Sequence, residues 1–260
     1  MQEQFGDVTA QVGDDHVAVV EIHRPPNNFF DIALIASLAD AYGMLDNERD
    51  ARAIVLCSEG RHFCAGADFS AQSDAEPLGP EHTASLYAEA VKLFSASTPV
   101  VAAVQGAAIG GGLGLACAAD FRVACPEARF AANFSRLGFH QGFGLSVTLP
   151  RIVGEQRSLE MLLTGGRIPG REAAAIGLCD RLCEQDQVRS EARRLAAEIA
   201  AAGPLAVQAI RATQRGDLAE RVRKATRHED AEQVRLRETE DFAEGVAASA
   251  ERRDPVFKGR

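Results

Sequence analysis

Residues 106–114 read Gly-Ala-Ala-Ile-Gly-Gly-Gly-Leu-Gly, and no other stretch restricts the fold as strongly. Small residues let the main chain approach a neighbouring element or a ligand closely. The run follows a strand-like segment at 99–104 and leads into a short helix expected over 113–119. A helix N-terminus there offers unpaired N–H groups and a partial positive charge. The run is not a P-loop, because no Gly-Lys-Ser/Thr follows it. It is not a dinucleotide fingerprint either, because Leu115 or Cys117 stands where the third glycine belongs. Taken alone, it reads as a tight strand-to-helix turn packed against a sheet.

A second small-residue element, Phe63-Cys64-Ala65-Gly66-Ala67-Asp68, follows another buried strand expected at 53–57. Around these two elements the first half alternates strands (17–22, 121–125) with helices. Asp31 caps a helix over 32–45 in which Leu34, Ile35, Leu38 and Tyr42 recur at helical spacing. That alternation predicts a mostly parallel sheet with helices outside. From about residue 188 to 248, Ala, Arg, Glu and Leu dominate in helical pattern, with Gly203-Pro204 starting a new helix.

Composition narrows the partners. The formal net charge is -9 and no basic stripe stands out, which argues against nucleic acid. An anionic ligand must be bound by local groups. The six cysteines lie mostly in apolar runs, with no CxxC pair and no metal-ligand spacing; they read as buried free thiols in a reducing compartment, and no metal site is expected. No apolar run has the length of a membrane span, and the N-terminus lacks an apolar signal core. The expectation is a soluble cytoplasmic protein.

The pairing of the two glycine elements, about forty residues apart and each after a strand, resembles the crotonase (enoyl-CoA hydratase/isomerase) superfamily. The resemblance also covers Arg24-Pro25, Asp120-Phe121-Arg122-Val123-Ala124, Leu149-Pro150-Arg151-Ile152-Val153-Gly154 and Arg253-Asp254-Pro255-Val256-Phe257. It implies an α/β fold, a spiral of ββα units over 1–195 with a C-terminal helical trimerisation region over 196–260. A homotrimer or hexamer is implied, and an acyl-CoA thioester as ligand, with no cofactor beyond the coenzyme A of the substrate. Carried over by motif, the N–H groups of Ala67 and Gly111 are the oxyanion donors. Cys64, Ala65, Gly66, Asp68 and Gly110 flank them. Arg24, Phe257 and Lys258 are the implied coenzyme A contacts.

Hydratases of this family carry two glutamates, and here Gly114 and Phe134 stand at those positions. Hydration needs a positioned acid/base pair, so lyase or isomerase chemistry of the usual kind lacks its proton carriers. His140, in the loop Gly138-Phe139-His140-Gln141-Gly142-Phe143-Gly144, is the candidate acid/base group, histidine being a common general base. Gln141 is a candidate to orient water, and Tyr87 matches the histidine position of a dehalogenase-type branch. Three readings stay open: an acyl-CoA enzyme that stabilises a thioester enolate, with a hydrolase or decarboxylase using His140 as a variant; a non-catalytic acyl-CoA binder; and an interaction subunit.

Overall fold

The computed structural model describes residues 2–69 and 80–260. Strands β1 (Gln2–Phe5), β2 (Val8–Val12) and β3 (Val17–Ile22) form an antiparallel meander. Helix α1 (Ile32–Asp46) follows, with the Asp31 carboxylate accepting the Leu34 N–H at 2.8 Å. Its buried residues Leu34, Ile35, Leu38, Tyr42 and Leu45 keep the helical spacing of the sequence. β4 (Ala53–Ser58) is buried at every position and runs parallel to β3, as expected of an interior strand covered on both faces.

After α2 (Pro80–Ser95) come β5 (Val100–Val104), β6 (Ala107–Ile109), α3 (Gly111–Ala118), β7 (Phe121–Ala124) and β8 (Arg129–Ala131). A 3-10 turn (Asn133–Leu137) leads to α4 (Leu145–Val153), α5 (Glu155–Thr164), β9 (Arg167–Pro169), α6 (Gly170–Ala175) and β10 (Arg181–Leu182). Helices α7 (Val188–Ala200), α8 (Pro204–Arg215), α9 (Leu218–Arg237) and α10 (Glu240–Glu251) complete the chain.

The main sheet has the order β1-β2-β3-β4-β5-β7-β10, parallel from β3 onward. A small second sheet, β6-β8-β9, stands apart from it. Each parallel strand of the main sheet is thus followed by an excursion that feeds the small sheet or an outer helix, which is the spiral of strands and helices expected from the sequence.

Helix α7 covers β4 and β5, so the boundary expected at residue 195 falls inside a helix that packs on the core. Helix α8 buries none of its residues, and Leu205 and Ile210 on it are exposed. Helix α10 packs on the 3-10 turn, where Gly245 lies against the Leu137 carbonyl. Among the described residues no single helix is long and apolar enough to cross a membrane.

Candidate active site

The two glycine elements are clipped together by main-chain hydrogen bonds. The Cys64 N–H donates to the Ala107 carbonyl at 3.0 Å, and the Ile109 N–H donates to the Cys64 carbonyl at 3.1 Å. Only glycine fits at two points of this seam. Gly66 has φ +93°, and a Cβ there would lie 2.8 Å from the Ile109 carbonyl oxygen. A Cβ on Gly112 would fall on the Cys64 carbonyl.

A third segment braces the seam from outside. Asn28, fully buried with φ +49°, donates its amide to the carbonyls of Glu59 (2.8 Å) and His62 (2.6 Å) and accepts the Arg24 N–H at 3.0 Å. The Ala65 N–H donates to the Asn27 carbonyl, and the Phe30 N–H to the Gly66 carbonyl.

The N–H groups of Ala67 and Gly111 are not used in this bracing. Gly110 N–H donates to the Ala131 carbonyl at 2.8 Å, while Gly111 begins α3 and its N–H has no partner among the described residues. The Ala67 N–H has none either among them. Both residues line one cavity of about 1350 Å³.

Aromatic rings line the same cavity. Phe30, Phe134, Phe139 and Phe143 belong to it, and they adjoin the second donor: a Cβ on Gly111 would collide with the Phe30 ring, and one on Gly110 would touch Phe134 at 3.8 Å. Cations line it too, at Arg61, Arg129, Arg136 and Arg167. His62 is held below its ordinary pKa by burial and then by Arg61 and Arg129, and its Nδ1 accepts the Ala107 N–H at 3.2 Å.

Gly114 and Phe134, where the resemblance implies the hydratase glutamates, carry no titratable side chain. Phe143, itself in the left-handed region at φ +60°, fills the volume beside Gly114, and Phe134 is buried in the 3-10 turn. The carboxylates that line the cavity among the described residues are Asp68 and Asp254.

Of the candidate site residues, Ala65, Gly66, Ala67, Asp68, Tyr87, Gly110, Gly111 and Phe134 line the cavity, while Arg24, Cys64, His140, Gln141, Phe257 and Lys258 do not. Cys64 lies beneath the seam, its thiol pushed up to about 12 by burial. Arg24 is held by Asp7 at 2.7 Å and Asp31 at 2.8 Å, away from the cavity lining. The His140 ring packs edge-on against His228 with centroids 5.7 Å apart, and its Nδ1 lies 2.8 Å from the Gln141 carbonyl. Gln141 donates to the Ser146 hydroxyl at 3.0 Å. The main-chain N–H of Lys258 donates to Asp241 at 2.6 Å, and Phe257 is partly exposed; Arg252, Arg253, Asp254 and Pro255 line the cavity in their place.

Gln233 and Arg237, which carry no local signal in the sequence, also line the cavity. One turn apart in a highly charged helix, they read as part of a solvated face.

The whole chain has relatives of the same shape. Residues 13–260 match the family model described as enoyl-CoA hydratase/isomerase. A Bacillus subtilis protein named "Probable enoyl-CoA hydratase" is 32% identical over 95% of this chain and 96% of its own length. A carnitinyl-CoA dehydratase of Salmonella enteritidis is 30% identical over 93% of this chain and 94% of its own. The crystal structure of an enoyl-CoA hydratase/isomerase from Pseudoalteromonas atlantica superposes with a TM-score of 0.85 at 29% identity, covering 97% of this chain and all (100%) of that one. The fold is that of the crotonase superfamily, and the chain belongs to the enoyl-CoA hydratase/isomerase family.

Proposed function

We propose that this chain is an acyl-CoA enzyme that holds a thioester carbonyl between the N–H groups of Ala67 and Gly111 and stabilises the enolate formed from it. The observation that carries the reading is the pair of N–H groups without partners among the described residues, on two clipped loops, at one cavity. Such donors stabilise charge as it develops on oxygen, and loss of one typically costs about 2.7–4 kcal/mol of barrier. The relatives named as acyl-CoA enzymes support the ligand class. The cavity arginines Arg61, Arg129, Arg136 and Arg167 suit the phosphates of coenzyme A.

Water addition by two glutamates is not part of the proposal. Among the described residues the titratable groups that line the cavity and can carry a proton include the Asp68 and Asp254 carboxylates and the His62 imidazole; His140 is not in the lining and packs against His228. A non-catalytic acyl-CoA binder is the second reading, favoured by phenylalanine rings filling both glutamate positions. Exposed Leu205 and Ile210 on α8, with Leu159 and Leu163 on α5, support self-association into a trimer or hexamer.

Two measurements separate these readings. Calorimetry compares an acyl-CoA with the matching alkyl thioether, which lacks the carbonyl oxygen; the thioether is expected to bind about tenfold more weakly or worse. Proton NMR in D2O follows exchange at the acyl α-carbon. Exchange above the protein-free rate supports the enzyme, binding without exchange supports the binder, and equal affinity for ester and thioether rejects the carbonyl site.

A further inference from the structure

Several phenylalanines gather at the cavity. Phe30 meets Phe143 edge-on at 5.7 Å, Phe134 meets Phe139 at 5.4 Å, and Phe139 meets Phe69 at 5.9 Å. Gly110 and Gly111 abut Phe134 and Phe30, so these rings lie beside the proposed carbonyl site. Rings with negative faces and positive edges prefer another ring to an alkyl chain of similar area.

A polar cluster lines the same cavity. The Tyr87 hydroxyl donates to Gln233 Oε1 at 3.1 Å, Arg237 Nη2 donates to the same oxygen at 3.2 Å, and Gln233 Nε2 donates to the His140 carbonyl at 2.9 Å. The Arg237 guanidinium also lies 6.0 Å over the Phe139 ring, joining the polar cluster to the aromatic one. Position 142 accommodates this arrangement: a Cβ on Gly142 would fall on the Tyr87 hydroxyl. Burial pushes the phenol well above its ordinary pKa, so it remains a neutral O–H. With its hydrogen committed to Gln233, its oxygen still accepts a hydrogen bond.

We propose that the acyl group bound here is an aromatic ring bearing a hydroxyl, the ring lying among Phe30, Phe134, Phe139 and Phe143 and its hydroxyl donating to the Tyr87 oxygen. The inference rests on the acyl-CoA reading above. An aromatic substituent matches the ring cluster, and a phenolic hydroxyl can donate to the Tyr87 oxygen beside it.

The test is calorimetric titration of the full chain with butyryl-CoA, octanoyl-CoA, cinnamoyl-CoA and 4-hydroxycinnamoyl-CoA, repeated with Tyr87→Phe after its melting curve shows it folded. Cinnamoyl-CoA is expected to bind about tenfold more tightly than either straight-chain ester. The ring hydroxyl is expected to add about threefold or more, and Tyr87→Phe is expected to bring the ratio of the two aryl affinities to about one. Octanoyl-CoA binding as tightly as cinnamoyl-CoA overturns the ring preference. A hydroxyl preference that is missing in the wild type, or that survives in Tyr87→Phe, overturns the role of Tyr87. If none of the four esters binds, the acyl-CoA reading itself falls, an outcome distinct from equal binding of all four.

Discussion

Phe143 stands in the space that a side chain at position 114 would need: a Cβ on Gly114 would lie 2.6 Å from the Phe143 Cβ. A glutamate introduced at 114 therefore has no room while Phe143 stays in place. Gly114→Glu alone is expected to overpack the site and cost about 1–3 kcal/mol. Adding Phe143→Gly removes the clash and the left-handed strain, so the double variant is expected to lose less stability than the sum of the two single substitutions. Thermal denaturation checks this; a Gly114→Glu protein that melts with the wild type means that Phe143 yields freely.

Asn28 joins the loop before α1 to the donor loop through two carbonyls and a left-handed backbone. Asn28→Ala is expected to lose about 2–4 kcal/mol from the missing hydrogen bonds and the less tolerant backbone. Asn28→Asp keeps the shape but turns a carboxylate toward two carbonyl oxygens. Its folded-state pKa is then raised, so its stability is retained at acid pH and lost as pH rises. Urea denaturation of Asn28→Asp at pH 4.5 and 7 checks the sign: a larger deficit at pH 4.5 contradicts it.

Asp120 anchors helix α8 to the core. Its carboxylate takes Arg211 Nε at 2.8 Å and Arg215 Nη1 at 2.7 Å, and also accepts the Val100 N–H at 2.8 Å. Burial lowers the Arg215 pKa, and Asp120 works against that shift. Asp120→Ala leaves two largely buried cations without their carboxylate, at an expected cost of about 3–5 kcal/mol. Changing Arg211 and Arg215 to Leu in the same protein is expected to recover much of the loss. Chemical denaturation of the single and triple variants decides whether the charge or the packing matters.

The buried thiols make stability sensitive to alkali. Burial pushes Cys57 and Cys64 up to about 12, and Cys117 and Cys179 to about 11. Folded-state values above the ordinary thiol value mean that the unfolded chain releases protons first. The stability they contribute is fully present below about pH 9 and is lost as pH rises toward about 11–12. Denaturation midpoints are expected to fall between pH 8 and 10.5. Iodoacetamide at pH 8 is expected to leave these four thiols unmodified until denaturant is added.

Much of the fold was legible because its constraints are local. The Asp31 cap, the α1 stripe and the buried run of β4 each follow from residues within one turn or one strand. The two glycine elements were legible for the same reason, since close approach of backbone demands small residues at fixed places. What the sequence hid depends on distant partners. Arg211 and Arg215 reach Asp120 across 91 and 95 residues, and Tyr87 reaches Gln233 across 146. Arg24 shows the same limit: its neighbours Asp7 and Asp31 belong to other elements, and only the folded chain brings them to it. Asn28 gave no signal at all, because an asparagine beside prolines reads as an ordinary turn.

The Asp241 carboxylate receives the main-chain N–H groups of Lys258 and Gly259, while the next residue, Phe242, packs on Phe139 at 5.3 Å. The tail and the aromatic wall are thus separated by a single peptide unit. A purification handle fused after Arg260 would tug on that unit and blur any measurement of ligand preference; fused ahead of β1, at the free edge of the main sheet, it would leave the wall undisturbed.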